Sequence, residues 1–314
     1  MRALPVAGQP EFTQGVVFSA LAYGGVFALA LFWGSCREVL RRHAGVALVL
    51  AALVALEVEG MATVQLVCGT ALIAVAGSVR ANTSARKVIA LLLVVPGALF
   101  VALDPRLDDE RGLQIAVAMT IVLVAPAMAD YDKRNATHAL GPLAFFISVA
   151  GLYVAVPDTE APLVLLGACV PAVLAALGPR LSLGAEGAPA ALGLYAWAAA
   201  FGARGRPAAM IGAIAALGVV LIEPLSRRVW RKHNGIVGLV HHRSRRFSTA
   251  FALVPHAVVA LIASRVVAMA DLVGAIIGAV ALSCCALIVL ALTTGDAGRS
   301  EPCDGDGAGD VPRR

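Results

Sequence analysis

The chain has 314 residues, of which 60% are hydrophobic and 14% charged, with a mean hydropathy of +0.85. Soluble chains carry roughly 25% charged residues, so this composition excludes an ordinary water-soluble globular domain, which needs a polar surface. The net charge of +5 sits in one set of loops and does not read as nucleic-acid affinity.

Apolar stretches follow one another from Val16 to Leu292 with short loops between them. Crossing a ~30 Å hydrocarbon core takes roughly 20 apolar residues. In chain order the expected spans are Val16–Cys36, Ala44–Leu56, Met61–Val79, Val88–Leu103, Leu113–Ala129, Ala139–Val156, Ala161–Leu177, Ala188–Ala203, Pro207–Ile222, Phe247–Ser264 and Val266–Leu292. The first is too long for the apolar core of a signal peptide and reads as a retained span. The second is short, and the last is long enough to begin as an interfacial segment before entering the bilayer near Asp271. Polar backbone cannot face lipid unpaired, so every span should be a helix. The fold class is an all-α membrane protein, a polytopic bundle of about ten or eleven transmembrane helices. Residues 1–294 form its single transmembrane domain. The tail, 295–314, is Gly- and Asp-rich and is expected to be a disordered cytoplasmic segment.

Basic residues in short loops orient such a bundle toward the cytoplasm. The loops after odd-numbered spans hold 16 Lys and Arg; those after even-numbered spans hold 5. Odd loops are therefore read as cytoplasmic and the N-terminus as outside. Glu57, Glu59, Asp104, Asp108, Asp109, Glu110, Asp158, Glu160 and Asp271 all fall on the outer side. Arginine far exceeds lysine, and with the Ala and Gly load this points to a GC-rich bacterial genome, hence to the bacterial cytoplasmic membrane.

Polar residues at costly depths are the candidates for function. Pro96, Pro171 and Pro255 lie inside the fourth, seventh and tenth spans, each after a valine. Interior prolines free a carbonyl and kink a helix, and broken helices frame transport sites. His256 is the ionisable side chain set deepest in a span, and its titration near neutral pH suits proton coupling. The competing reading is a neutral histidine bonded to a carbonyl that a proline has freed. The pairs Glu57/Glu59 and Asp158/Glu160 end or join spans on the outer side. They suit a cation or proton site, or simply the turn and cap chemistry of a hairpin. The longest loop carries Arg227, Arg228, Arg231, Lys232, Arg243, Arg245 and Arg246 among Trp230, Ile236, Val237, Leu239 and Val240. That mixture suits anionic lipid at the cytoplasmic face or a phosphate-bearing substrate, beyond its role as a topological anchor. Small residues at helical spacing (Ala20, Gly24 and Ala28; Gly212 and Ala216; Gly274 and Gly278) predict close helix contacts.

The six cysteines show no CxxC and no His/Cys ligand spacing, so no metal and no cofactor is expected. Asp104…Asp108-Asp109 with Asp130-Tyr131-Asp132 is similar to the paired Asp-rich motifs of intramembrane prenyltransferases. Those motifs must face one another, and here the fifth span sets them on opposite sides. In length and helix count the chain resembles small drug/metabolite transporters, though none of their motifs is present. The expectation is a transporter or flippase-like permease for a small solute. The alternatives are a membrane-embedded enzyme acting on a lipid-linked or phosphorylated substrate, and a non-catalytic membrane partner. No convergent catalytic group stands out.

Overall fold

The computed structural model describes residues 8–32, 36–79, 84–108, 110–135, 140–157, 159–177, 182–218, 220–221, 260–269, 271–276 and 278; at 26–32, 36–43, 134–135, 140 and 175–177 it describes the backbone alone. The longer α-helices among these residues are, in order, α1 (Pro10–Phe32), α2 (Cys36–Val58), α3 (Val64–Ser78), α4 (Ser84–Ala102), α5 (Arg111–Asn135), α6 (Leu140–Ala155), α7 (Glu160–Leu177), α8 (Gly184–Gly202), α9 (Pro207–Ala216) and α10 (Ala260–Met269). One 3-10 turn, Pro105–Leu107, leads into α5. No strand occurs among the described residues. Among the described residues two helices, α4 and the Arg111–Lys133 part of α5, are long and apolar enough to cross a membrane.

Helix boundaries depart from the apolar spans where polar residues are helical too. Helix α1 starts at Pro10, ahead of Val16, because proline fits the first helical turn and Glu11 faces its positive end. Helix α2 runs 23 residues, so the short second span gains the basic stretch from Cys36 onward. Helix α5 continues past Ala129 to Asn135, and α8 begins at Gly184. A further correction concerns Arg265. The expected boundary at Ser264–Arg265 lies inside α10. The break comes instead at Asp271, whose Oδ1 accepts the Gly274 N–H at 2.6 Å and opens the next helical turn. A lone arginine is a good helix former, whereas an aspartate competes for the backbone as a cap.

Helix α8 is the axis of the described bundle. Every residue from Gly187 to Ala200 is buried, and α2, α3, α5, α7 and α9 all pack on it. Its run of Ala and Gly allows backbones to meet. Gly45 of α2 donates its N–H to the Leu183 carbonyl at 3.0 Å, and a Cβ on Gly45 would overlap that same carbonyl. Gly187 lies against Gly45, and Gly77 of α3 against the Ala185 backbone. A second close pair joins α1 to α7, where Gly15 sits on the Val164 carbonyl and Gly167 on that of Phe12. Here Ser19 Oγ also donates to the Ala168 carbonyl at 2.7 Å. The packing face of α1 is therefore Gly15, Ser19 and Tyr23, and a Cβ on Gly24 would meet nothing among the described residues. Gly212 and Ala216 behave as the sequence suggests, against α10 and Gly151 of α6.

Contacts sort the connections between helices into two ends. At one end the turns after α2, α4, α6 and α8 touch: Thr63 with Asp104, Arg106 with Gly60, Glu110 with Gly205, Thr159 with Gly202. At the other, Asp132 near the end of α5 meets Gly141 at the start of α6 and Leu183 and Gly184 at the start of α8. These are called below the even-turn and odd-turn ends. Successive helices thus reverse direction along the bundle.

Candidate functional site

The two buried carboxylates of the described residues, Asp104 and Asp132, lie at the two ends. At the odd-turn end, Asp132 is 2% exposed. Its Oδ1 accepts the Leu183 N–H and its Oδ2 the Gly184 N–H, each at 2.9 Å. A helix begins with four unpaired N–H groups, and a carboxylate there satisfies donors and complements the dipole. Asp132 therefore fastens the last turns of α5 to the first turn of α8.

At the even-turn end the network is wider. Asp104 is fully buried, caps the 3-10 turn by accepting the Arg106 N–H at 2.9 Å, and accepts from the Thr63 hydroxyl. Thr63 in turn caps α3, accepting the Leu66 N–H at 3.1 Å. Arg106 donates to the Gly60 carbonyl. Glu110 accepts the Gly205 N–H, and Arg204 donates to the Arg106 carbonyl at 3.5 Å. Below these bonds runs a column on α8. The Arg204 guanidinium lies 4.0 Å from the centre of the Phe201 ring, which stacks on Trp197 at 5.3 Å. Trp197 is wholly buried, and its Nε1 has no hydrogen-bond acceptor among the described residues.

The candidates from the sequence fare unequally. Glu57 and Glu59 belong to the end of α2. Met61 N–H bonds the Leu56 carbonyl at 2.6 Å and Gly60 N–H the Glu57 carbonyl at 2.8 Å, with Gly60 at φ +64°. This pattern closes a helix on a left-handed glycine, so the segment is explained by capping. The Glu57 side chain is exposed. Glu160 is exposed in the first turn of α7, where its charge complements the helix dipole. The Thr159 hydroxyl beside it donates to the Val156 carbonyl at 3.0 Å. Pro96 and Pro171 are half-buried, and α4 and α7 run through them without a break, as expected of a proline that a helix tolerates. A proline costs a helix one N–H bond, a loss that packed helices tolerate. Asp158, Pro255, His256, the basic residues Arg227, Arg228, Arg231, Lys232, Arg243, Arg245 and Arg246, and the tail 295–314 lie outside the described residues.

The two Asp-rich stretches stand at opposite ends of α5, with Asp104 before its start and Asp132 near its close. They do not converge, as the sequence reading required. No group of three or more His, Cys, Asp or Glu positioned for a metal ion occurs among the described residues. Asp132, Asp104 and Trp197 were not singled out as sites from the sequence. The backbone partners of Asp132 lie 51 and 52 residues away, so no local spacing signals it, and Asp104 adds to its local Arg106 cap a bond to Thr63, 41 residues away. No protein-family model matches the chain, and no curated protein or solved structure is similar to it.

Proposed function

We propose that this chain is a multi-pass protein of the bacterial cytoplasmic membrane that moves a small solute across it, as a transporter or flippase-like permease. The observation that carries the membrane part is the surface of α4. Leu91, Leu92, Leu99 and Phe100 are exposed, and only 22% of the helix's apolar span is buried inside the protein. The core helix of a soluble protein hides such residues, whereas lipid is their natural solvent. The same character continues on Ile115, Met119 and Leu123 of α5 and on Leu50 and Val54 of α2. The even-turn end carries the excess of acids and the odd-turn end the excess of loop arginine, which suits an odd-turn end in the cytoplasm. The basic loop from Arg227 to Arg246 then meets anionic lipid.

Thiol labelling in intact cells tests the orientation. In a background without native cysteines, cysteines replacing Asp108 and Thr159 label with an impermeant reagent, and those replacing Arg42, Arg86 and Arg245 do not. Labelling at position 245 from outside would overturn the sidedness. Transport itself draws support from the many helices and the position of His256 in the sequence, and its test is proton flux. Purified protein in vesicles with a trapped pH dye is challenged with a panel of small metabolites. His256→Gln keeps a side chain able to donate a hydrogen bond but removes the titration. The variant should retain thermal stability and lose pH-dependent flux. A stable variant with its full pH dependence would return His256 to a structural role.

A further inference from the structure

We propose that the odd-turn half of α4 is a docking surface for an anionic phospholipid, with the headgroup on Arg86 and Lys87 and an acyl chain along Leu91, Leu92 and Val95. The two halves of this helix are placed differently. Its buried residues, Gly97, Ala98, Val101 and Ala102, all follow Pro96. There the α3 and α4 backbones touch, with Gly69 and Gly97 each against the other's carbonyl. Before Pro96 no residue of α4 is buried, and Ser84 to Ile89 are exposed without interruption. Six successive residues make more than one turn, so every side of the helix start is open. Among the described residues no other helix has an exposed run of this length.

Charge and apolarity together select the occupant. Arg86 and Lys87 stand in the first turn of α4 with no acid in that turn, where the helix dipole is itself positive. Helices α1, α7 and α8 each carry a glutamate in theirs. Of the described acids at the odd-turn end, Asp132 is bonded to the start of α8, Glu186 lies in the first turn of α8, and Asp130 is half-buried in α5. A negative group from outside the chain would offset the positive charge gathered at the start of α4. Directly below the two cations come Val88, Ile89, Leu91 and Leu92, all exposed. A soluble anion leaves that surface unmatched, whereas a phospholipid presents phosphate and hydrocarbon in the same order. From Val88 to Leu103 the helix rises about 24 Å, most of one hydrocarbon core, so the cations stand at headgroup level. The site rests on the membrane part of the reading above and is independent of transport.

Brominated phospholipids quench a tryptophan that they touch, and this gives the test. In the full chain Trp33→Phe and Trp230→Phe remove two of the three tryptophans, and Trp197, 0% exposed, stays as a shielded baseline. Leu92→Trp and Leu99→Trp are then made separately, each four residues from one end of the Val88–Leu103 run. Leu92→Trp should be quenched more by brominated phosphatidylglycerol than by brominated phosphatidylcholine, with an affinity ratio of at least about fivefold. Leu99→Trp should show no preference. Arg86→Gln with Lys87→Gln should abolish the preference at Leu92→Trp. Equal quenching by the two lipids there, or a preference that the double change leaves intact, would overturn the site. A measurement with both cations in place guards against a variant that fails to fold. Raising the salt from about 0.1 to 1 M should shrink the preference, because the screening length falls from ~10 to ~3 Å. A preference indifferent to salt would count against the site as well. No quenching of either reporter by any brominated lipid would sink the membrane reading itself, and the site with it.

Discussion

Helices α4 and α8 have the same length, 19 residues, and are both strongly apolar, yet they occupy opposite environments. Bulky α4 (SARKVIALLLVVPGALFVA) turns its leucines outward, and only Gly97, Ala98, Val101 and Ala102 near its end are buried. Small-residue α8 (GAEGAPAALGLYAWAAAFG) is buried from Gly187 to Ala200. Were hydrophobicity the driving force between helices, the bulkier helix would be the central one. The reverse arrangement follows if lipid already satisfies leucine, so that association is governed by how closely backbones can approach. Side-chain size, more than apolarity, separates the centre from the rim.

Leu192 and Leu92 put that contrast to the strongest test, because one change can be made in both helices. Leu192 is 0% exposed in α8 and Leu92 is 66% exposed in α4. Leu192→Ala should cost about 2–4 kcal/mol through the cavity it leaves. Thermal unfolding in detergent measures it, against Leu92→Ala as the comparison. Removing the buried acceptor comes next. Asp132→Ala leaves two N–H groups at the start of α8 unmatched, at a cost of about 2–3 kcal/mol. Asp132→Asn, which keeps one acceptor oxygen, should recover part of that loss in the same experiment. Gly45→Ala is a smaller disturbance, ~1–3 kcal/mol, since the added methyl forces α2 off the Leu183 carbonyl. At the bottom of the scale Leu92→Ala should fall within ~0.5 kcal/mol. Equal losses at Leu92 and Leu192 would mean that α4 is covered by protein, and the contrast would collapse.

How much of this could be read from the residues depended on range. The run Val88–Leu103 announced α4 by its apolarity alone. The alternation of turns between two ends was legible in the distribution of arginine and lysine. Helix α2 was clipped because Arg37, Arg41 and Arg42 look like a loop to any hydrophobicity argument, although arginine is a good helix former. Gly24 was chosen for its spacing with Ala20 and Ala28, but α1 packs on Gly15 and Ser19 instead. Spacing marks a face of small residues without saying which face has a neighbour. Asp132 was noticed only as half of a motif that failed. Its task depends on Leu183 and Gly184, which the chain brings back three helices later.

The pairing of α1 with α7 bears on how the molecule is assembled. Ser19 and its acceptor Ala168 are 149 residues apart. At synthesis rates of roughly 5–20 residues per second, the ribosome needs about 7–30 s to deliver α7 after α1. During that interval Tyr23 can already donate to the Ala44 carbonyl of α2, while Gly15 and Ser19 have no α7 to meet, and the Ser19 hydroxyl must be satisfied by its own helix or by a temporary neighbour. Helix α1 therefore meets α2 well before it meets α7, and a chain truncated before Glu160 would leave the Gly15–Ser19 face without the α7 backbone it packs on.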